Sequence, residues 1–149
     1  MGLFGNSKKK AFDPQYEKSL SAVYFQNMET LESMWAVVTN LKAYDGDRAN
    51  ALEQLCYLNI SDYHAWVSYN ITIDPEWVRP PKCPAYIRLA MLYEKRKQYD
   101  KAVDVCCAAI RAGAVADGSS GRMFGRLARM MSKAGMEMTP EIDGLMKLQ

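Results

Sequence analysis

Four basic side chains, Arg122, Arg126, Arg129 and Lys133, recur at spacings of four, three and four residues. On a helix that advances 100° per residue, they gather within about 60° of one face. No Asp or Glu falls between Ser120 and Ala134. A row of guanidinium groups grips carboxylates through paired, charge-assisted hydrogen bonds. The chemistry on offer is therefore recognition of acidic side chains or of a terminal carboxylate. Arg88 and Lys95, one predicted helix pair earlier, add two more cations. Beside the row lie Met123, Leu127, Met130, Met131 and Ala134, an apolar stripe whose flexible thioethers suit either a core or an adaptable surface.

Little else in the sequence points to chemistry. His64 is the single histidine, and Cys56, Cys83, Cys106 and Cys107 contain no C-x-x-C pair. A structural zinc site needs four thiolate or imidazole ligands at short paired spacings. The cysteines therefore read as reduced thiols in or near a core, and neither a metal nor a cofactor is expected. Glycine-rich phosphate loops, H-E-x-x-H and G-x-S-x-G are all absent. The expectation is a protein that is not an enzyme.

The elements that must carry the basic row read as helices throughout. Asp13-Pro14 is a helix start, with Asp as cap and Pro at the first helical position. Apolar residues then recur at spacings of three and four over 14–43. Asp47 is read as the cap of a second helix, and Asn59-Ile60-Ser61-Asp62 as a break before a short helix over 62–70. Ile71-Thr72-Ile73 reads as a short extended piece. The three prolines of Arg79-Pro80-Pro81-Lys82-Cys83-Pro84 exclude helix interior. Helices follow over 84–97, over 100–112 with Asp100 as cap, over 120–134 up to Gly135, and over 140–148. The fold class is all-α. The organisation is a disordered basic tail over 1–12, an N-terminal helical lobe over 13–70, a Pro-rich connector over 71–83 and a second helical lobe over 84–149, together one compact domain. No apolar run is long enough to span a membrane, and the start lacks the apolar region of a signal peptide, so a cytoplasmic location is expected.

Segment 83–116 resembles one tetratricopeptide repeat, a helix–turn–helix unit. Tyr86, Leu89, Ala90 and Tyr93 fit the aromatic, Leu, small and aromatic positions of its first helix. Ala102, Cys106 and Ala109 fit its second. Ala114 stands where a closing Pro is usual, and no Gly ends the first helix near Lys97. Segment 121–149 is similar to half a repeat, with Phe124, Leu127, Ala128 and Met131 in the first-helix positions and Gly135 at the turn. The resemblance implies an antiparallel helix-turn-helix array, either a right-handed superhelix or a helical bundle. It also implies a concave groove faced by Arg122, Arg126 and Arg129, with Arg88 and Lys95 of the preceding unit.

The net charge of +2 conceals an asymmetry: residues 1–75 carry −3 and residues 76–149 carry +5. The expected function is a protein-interaction module that binds an acidic peptide or partner surface through Arg122, Arg126, Arg129, Lys133, Arg88 and Lys95. Two alternatives use the same features. One is binding of nucleic acid or another anionic surface by the basic row together with Lys8–Lys10. The other is a structural subunit that self-associates through the Met-rich face. A further reading has the acidic lobe satisfying the basic one within the chain.

Overall fold

The computed structural model describes residues 11–149 and shows six helices: α1 (Pro14–Leu41), α2 (Asp47–Ile73), α3 (Pro84–Lys95), α4 (Tyr99–Arg111), α5 (Arg122–Ala134) and α6 (Pro140–Met146). Among the described residues the only β-type pairing is an isolated bridge between Lys82 and Ala116. The class is all-α, as the periodicity indicates. The tail expected over 1–12 lies outside the described residues except for Ala11 and Phe12.

The caps explain most helix starts. Asp13 Oδ1 accepts the amides of Gln15 and Tyr16, with Pro14 at the first position. Thr139 caps α6 through the Ile142 amide. Two expected caps are displaced. Gly46, at φ +96°, stands at the N-cap of α2, which puts Asp47 inside the first turn, where its charge opposes the positive end of the helix dipole. Gln98 precedes α4, so Asp100 likewise sits in the first turn.

The largest departure from the sequence reading is α2, one unbroken helix of 27 residues. The expected break at Asn59–Asp62 does not occur. Asn59 turns inward and its amide nitrogen donates to the Tyr24 carbonyl at 2.9 Å and to Asp62 at 3.3 Å. Asp62 also accepts Asn27 at 2.8 Å. These side chains bond to α1 instead of competing with their own backbone, which removes the reason for a break. Ile71-Thr72-Ile73 is the last helical turn, and Pro75 follows.

α1 and α2 run antiparallel, pinned by Asp13 to Tyr69, by Tyr24 against Tyr63 and Trp66, and by the Trp66 indole donating to Glu17 at 2.7 Å. α3 packs on both of them, α4 on α3, α5 on α4, and α6 on α4. One core runs through all six helices, from Tyr24, Leu31 and Leu52 to Leu89, Cys106, Phe124 and Leu127. The small residues Ala90, Ala102 and Ala109 are all buried at the α3–α4 contact. Met123, Met130 and Met131 are 0, 1 and 6 % exposed. The apolar stripe of α5 is core, whereas Met136 and Met138 after it are exposed.

The segment between α2 and α3 is strapped to both lobes. The Tyr63 hydroxyl donates to the Pro80 carbonyl at 2.7 Å, Arg79 donates to the Ala112 carbonyl at the end of α4 at 2.8 Å, and the Ala116 amide donates to the Pro81 carbonyl. Gly113, at φ +77°, is required beside this strap, because a Cβ there would lie 2.8 Å from the Arg79 side chain.

Candidate functional site

The six sequence-predicted site residues lie on α3 and α5, whose facing sides are joined by ion pairs. Arg126 is nearly buried, with its side chain 11 % exposed. Its Nε donates to Asp117 at 3.1 Å and its Nη1 lies 3.8 Å from Glu94 of α3. Asp117 is wholly enclosed and also accepts the Ser119 amide and hydroxyl. Burial works against its charge. The Ser119 hydrogen bonds and the Arg126 guanidinium outweigh that, and hold its carboxyl below the usual range. Lys133 bonds Glu94 at 2.7 Å and stands over the Tyr99 ring. Its pKa is raised, through the hydrogen bond and charge of Glu94.

Arg88 belongs to a different pairing. It grips Glu32 of α1 with bonds of 2.8 to 3.2 Å and lies over the Trp35 ring. Lys95 is exposed over the Tyr44 ring. Arg122, at φ 55°, begins α5 with its guanidinium 5.1 Å from the Phe124 ring centroid. Arg129 is exposed. Among the described residues neither Arg122, Arg129 nor Lys95 has a carboxylate within ion-pair distance.

The basic row thus divides. Arg126, Lys133 and Arg88 are committed to carboxylates of the chain itself; Arg122, Arg129 and Lys95 are open. The acids that occupy the α5 row come from its own lobe, Glu94 and Asp117. The acidic N-terminal lobe is engaged further along, at Arg88 and at Arg96. Arg96, which sequence reasoning did not single out, ties the lobes together. It donates to Glu53 at 2.9 Å, to the Tyr44 carbonyl at 2.7 Å and to Asn50 at 3.0 Å. Burial opposes the charge on Glu53, but hydrogen bonds from Tyr93 and Arg96 hold its carboxyl below the usual range.

No protein family, curated protein or solved structure compared with this chain matches it. The reading of the site therefore rests on its own residues.

A second concavity was not foreseen from sequence. A cleft of about 400 Å³ between α2, α3 and α4 is walled by Tyr57, Tyr86, Tyr93, Lys101 and Val105. The Tyr57 and Tyr93 hydroxyls are 2.7 Å apart, Tyr93 donates to Glu53 at 2.5 Å, and Tyr86 is hydrogen-bonded to His64 at 2.7 Å. These polar groups satisfy one another. Burial and the Arg79 charge lower the His64 pKa, so the ring is neutral near pH 7. Of the run of aromatics from Tyr57 to Trp77 only Tyr57 lines the cleft; the cleft's other tyrosines, Tyr86 and Tyr93, come from α3. Among the described residues no cluster of three His, Cys, Asp or Glu is placed to hold a metal ion, and no helix is long and apolar enough to cross a membrane. All four cysteines are free and buried.

Proposed function

We propose that this chain is a cytoplasmic, non-enzymatic protein-interaction module, tetratricopeptide-like in its C-terminal half, that binds an acidic segment of a partner protein along α5. The observation that carries this reading is the pair of guanidinium groups without a carboxylate partner among the described residues, at Arg122, half-buried over Phe124, and at Arg129, exposed. Seven helical residues separate them, a rise of about 10.5 Å. An extended peptide advances about 3.3 Å per residue, so carboxylates three residues apart match that spacing. Arg126 and Lys133 between and beyond them hold the helix to α3, and Lys95 offers a third cation on the neighbouring helix.

The internal pairing weighs against nucleic acid. Four cations of the α5 row, less the carboxylates of Glu94 and Asp117, leave a local excess of two. Nucleic-acid binding draws on many phosphate contacts and a broad basic surface.

The test is retention of partners from a nuclease-treated lysate by the full chain, compared with Arg122→Glu/Arg129→Glu. A protein held by the wild type and lost by the double variant supports the reading. Equal retention by both refutes it. Arg126 is not a suitable probe, although the sequence suggests an exposed position, because its side chain is walled in against Asp117.

A further inference from the structure

The outer face of the α1–α2 hairpin is almost free of charge. From Ser19 to Leu41 the exposed positions include one ionisable residue, Glu29. From Asn50 to Ile73 no exposed position is Asp, Glu, Lys or Arg. Charged residues make up 24% of the chain, and solvated helix faces are where they normally collect. Here the exposed positions are small, polar-uncharged or apolar instead. Val23, Val37, Leu41 and Leu58 are 48, 45, 56 and 52 % exposed. A groove of about 570 Å³ continues the face between Tyr16, Ala65, Ser68 and Thr72, with the α1 cap Asp13 at its end.

We propose that this face is a homodimer interface, and that its occupant is the same face of a second copy of the chain. Three arguments favour a second copy. The first is size. Twenty-three helical residues span about 34 Å, and two helices 8–10 Å apart are about 20 Å wide, giving roughly 700 Å² of footprint. A standard stable interface takes about 800 Å² per partner. The second is self-complementarity. A two-fold contact opposes a surface to itself, so any strong charge of one sign would meet its like. This face has no exposed charge at its centre; Asp62, one turn from Leu58, is half-buried and held by Asn27 and Asn59. Glu29 sits about 100° around α1 from the line through Val23 and Val37, at the margin. The third is geometry. Two antiparallel hairpins facing one another make a four-helix bundle, in which α1 and α2, covered by α3 on one side, gain a layer on the other. The unusual length of these two helices, 28 and 27 residues against 12 and 13 for α3 and α4, supplies the long contact such a bundle needs. The basic row of α5 lies away from this face and stays open in the dimer.

The experiment is the mass of the full chain in solution, by sedimentation or light scattering, from low to high micromolar concentration. The wild type is expected to pass from one chain mass to two. Val23→Glu and Val37→Glu put like charges across the two-fold and are expected to raise the dimer dissociation constant at least roughly tenfold, with the melting curve of the monomer unchanged. Ser33→Glu, at a position already exposed and polar, repeats the test without touching any apolar contact. A wild type that stays at one chain mass throughout overturns the proposal and leaves the face to a different protein or to water. A dimer that all three variants form as readily as the wild type also overturns it, because the contact then lies elsewhere.

Discussion

Replacing Arg126 by Ala should destabilise the protein by about 3 kcal/mol at neutral pH, because it strips the cation from a carboxylate with no exposure to water. Breaking a buried ion pair by removing one partner costs about 3–5 kcal/mol. Asp117 keeps its two bonds from Ser119, and Glu94 has Lys133 and partial access to solvent, so the lower end applies. With an unfolding entropy of about 2.1 cal/mol/K per residue over this chain, 3 kcal/mol corresponds to a fall in Tm of about 10 °C. The pH dependence gives a second, sharper reading. The folded-state pKa of Asp117 lies below its unfolded value, so the stability it contributes is present above about pH 4 and is lost as pH falls through the folded pKa. Without Arg126 part of that depression is relieved, the Ser119 bonds remaining. The deficit of the variant should therefore be large at pH 7 and shrink below about pH 4, where a protonated Asp117 no longer needs a partner. Urea denaturation followed by far-UV circular dichroism at pH 7 and pH 3 measures both. A deficit under about 1 kcal/mol at pH 7, or one of equal size at both pH values, would refute the reasoning and return Arg126 to the open row.

Arg129→Ala, in contrast, should change stability by less than about 0.5 kcal/mol in the same assay, since the side chain is exposed without a carboxylate partner. Lys97 holds φ 59° at the turn after α3, where the Gln98 amide bonds the Tyr93 carbonyl; Lys97→Gly should raise stability by up to about 1 kcal/mol, read from the urea midpoint. Burial pushes the Cys56 and Cys106 thiols up to about 12 and raises those of Cys83 and Cys107. All four should resist a thiol-reactive dye at pH 8 in the native state and react together in denaturant. Arg96→Ala should lower Tm at pH 7 and flatten the acid limb of the wild-type stability profile, because Glu53 then loses part of what holds its carboxyl low.

The class and most helix positions were legible because they follow from local signals. Asp13-Pro14, Gly135 and Thr139-Pro140 mark ends through backbone geometry that neighbours alone decide. Asn59 shows where this stops. Its type argues for a break, and only its bond to the Tyr24 carbonyl, from a residue 35 positions away, makes it compatible with a continuous helix. The basic row was legible as a face, since 3.6-residue periodicity places side chains around an axis. Its division into open and committed members was not. Glu94 and Asp117 reach Arg126 through the packing of α3, the α4–α5 loop and α5, which no spacing within one helix encodes. The same holds for Met123, Met130 and Met131, whose spacing fits a core or an open face equally well; α4 decides between them by lying against α5.

The central claim is that Arg122 and Arg129 together bind carboxylates presented by a partner. It is tested most directly by fluorescence anisotropy with a labelled extended peptide carrying Glu three residues apart, titrated with the full chain and with Arg122→Glu/Arg129→Glu. Exposed charge pairs are worth about 0.5 kcal/mol each, and reversal adds repulsion of similar size, so the double variant should lose about 2 kcal/mol and bind roughly 10- to 100-fold more weakly with an unchanged melting curve. A peptide with Lys in place of Glu should not bind. Equal affinity of wild type and double variant for the Glu peptide, or no binding by either at low ionic strength, would contradict the account.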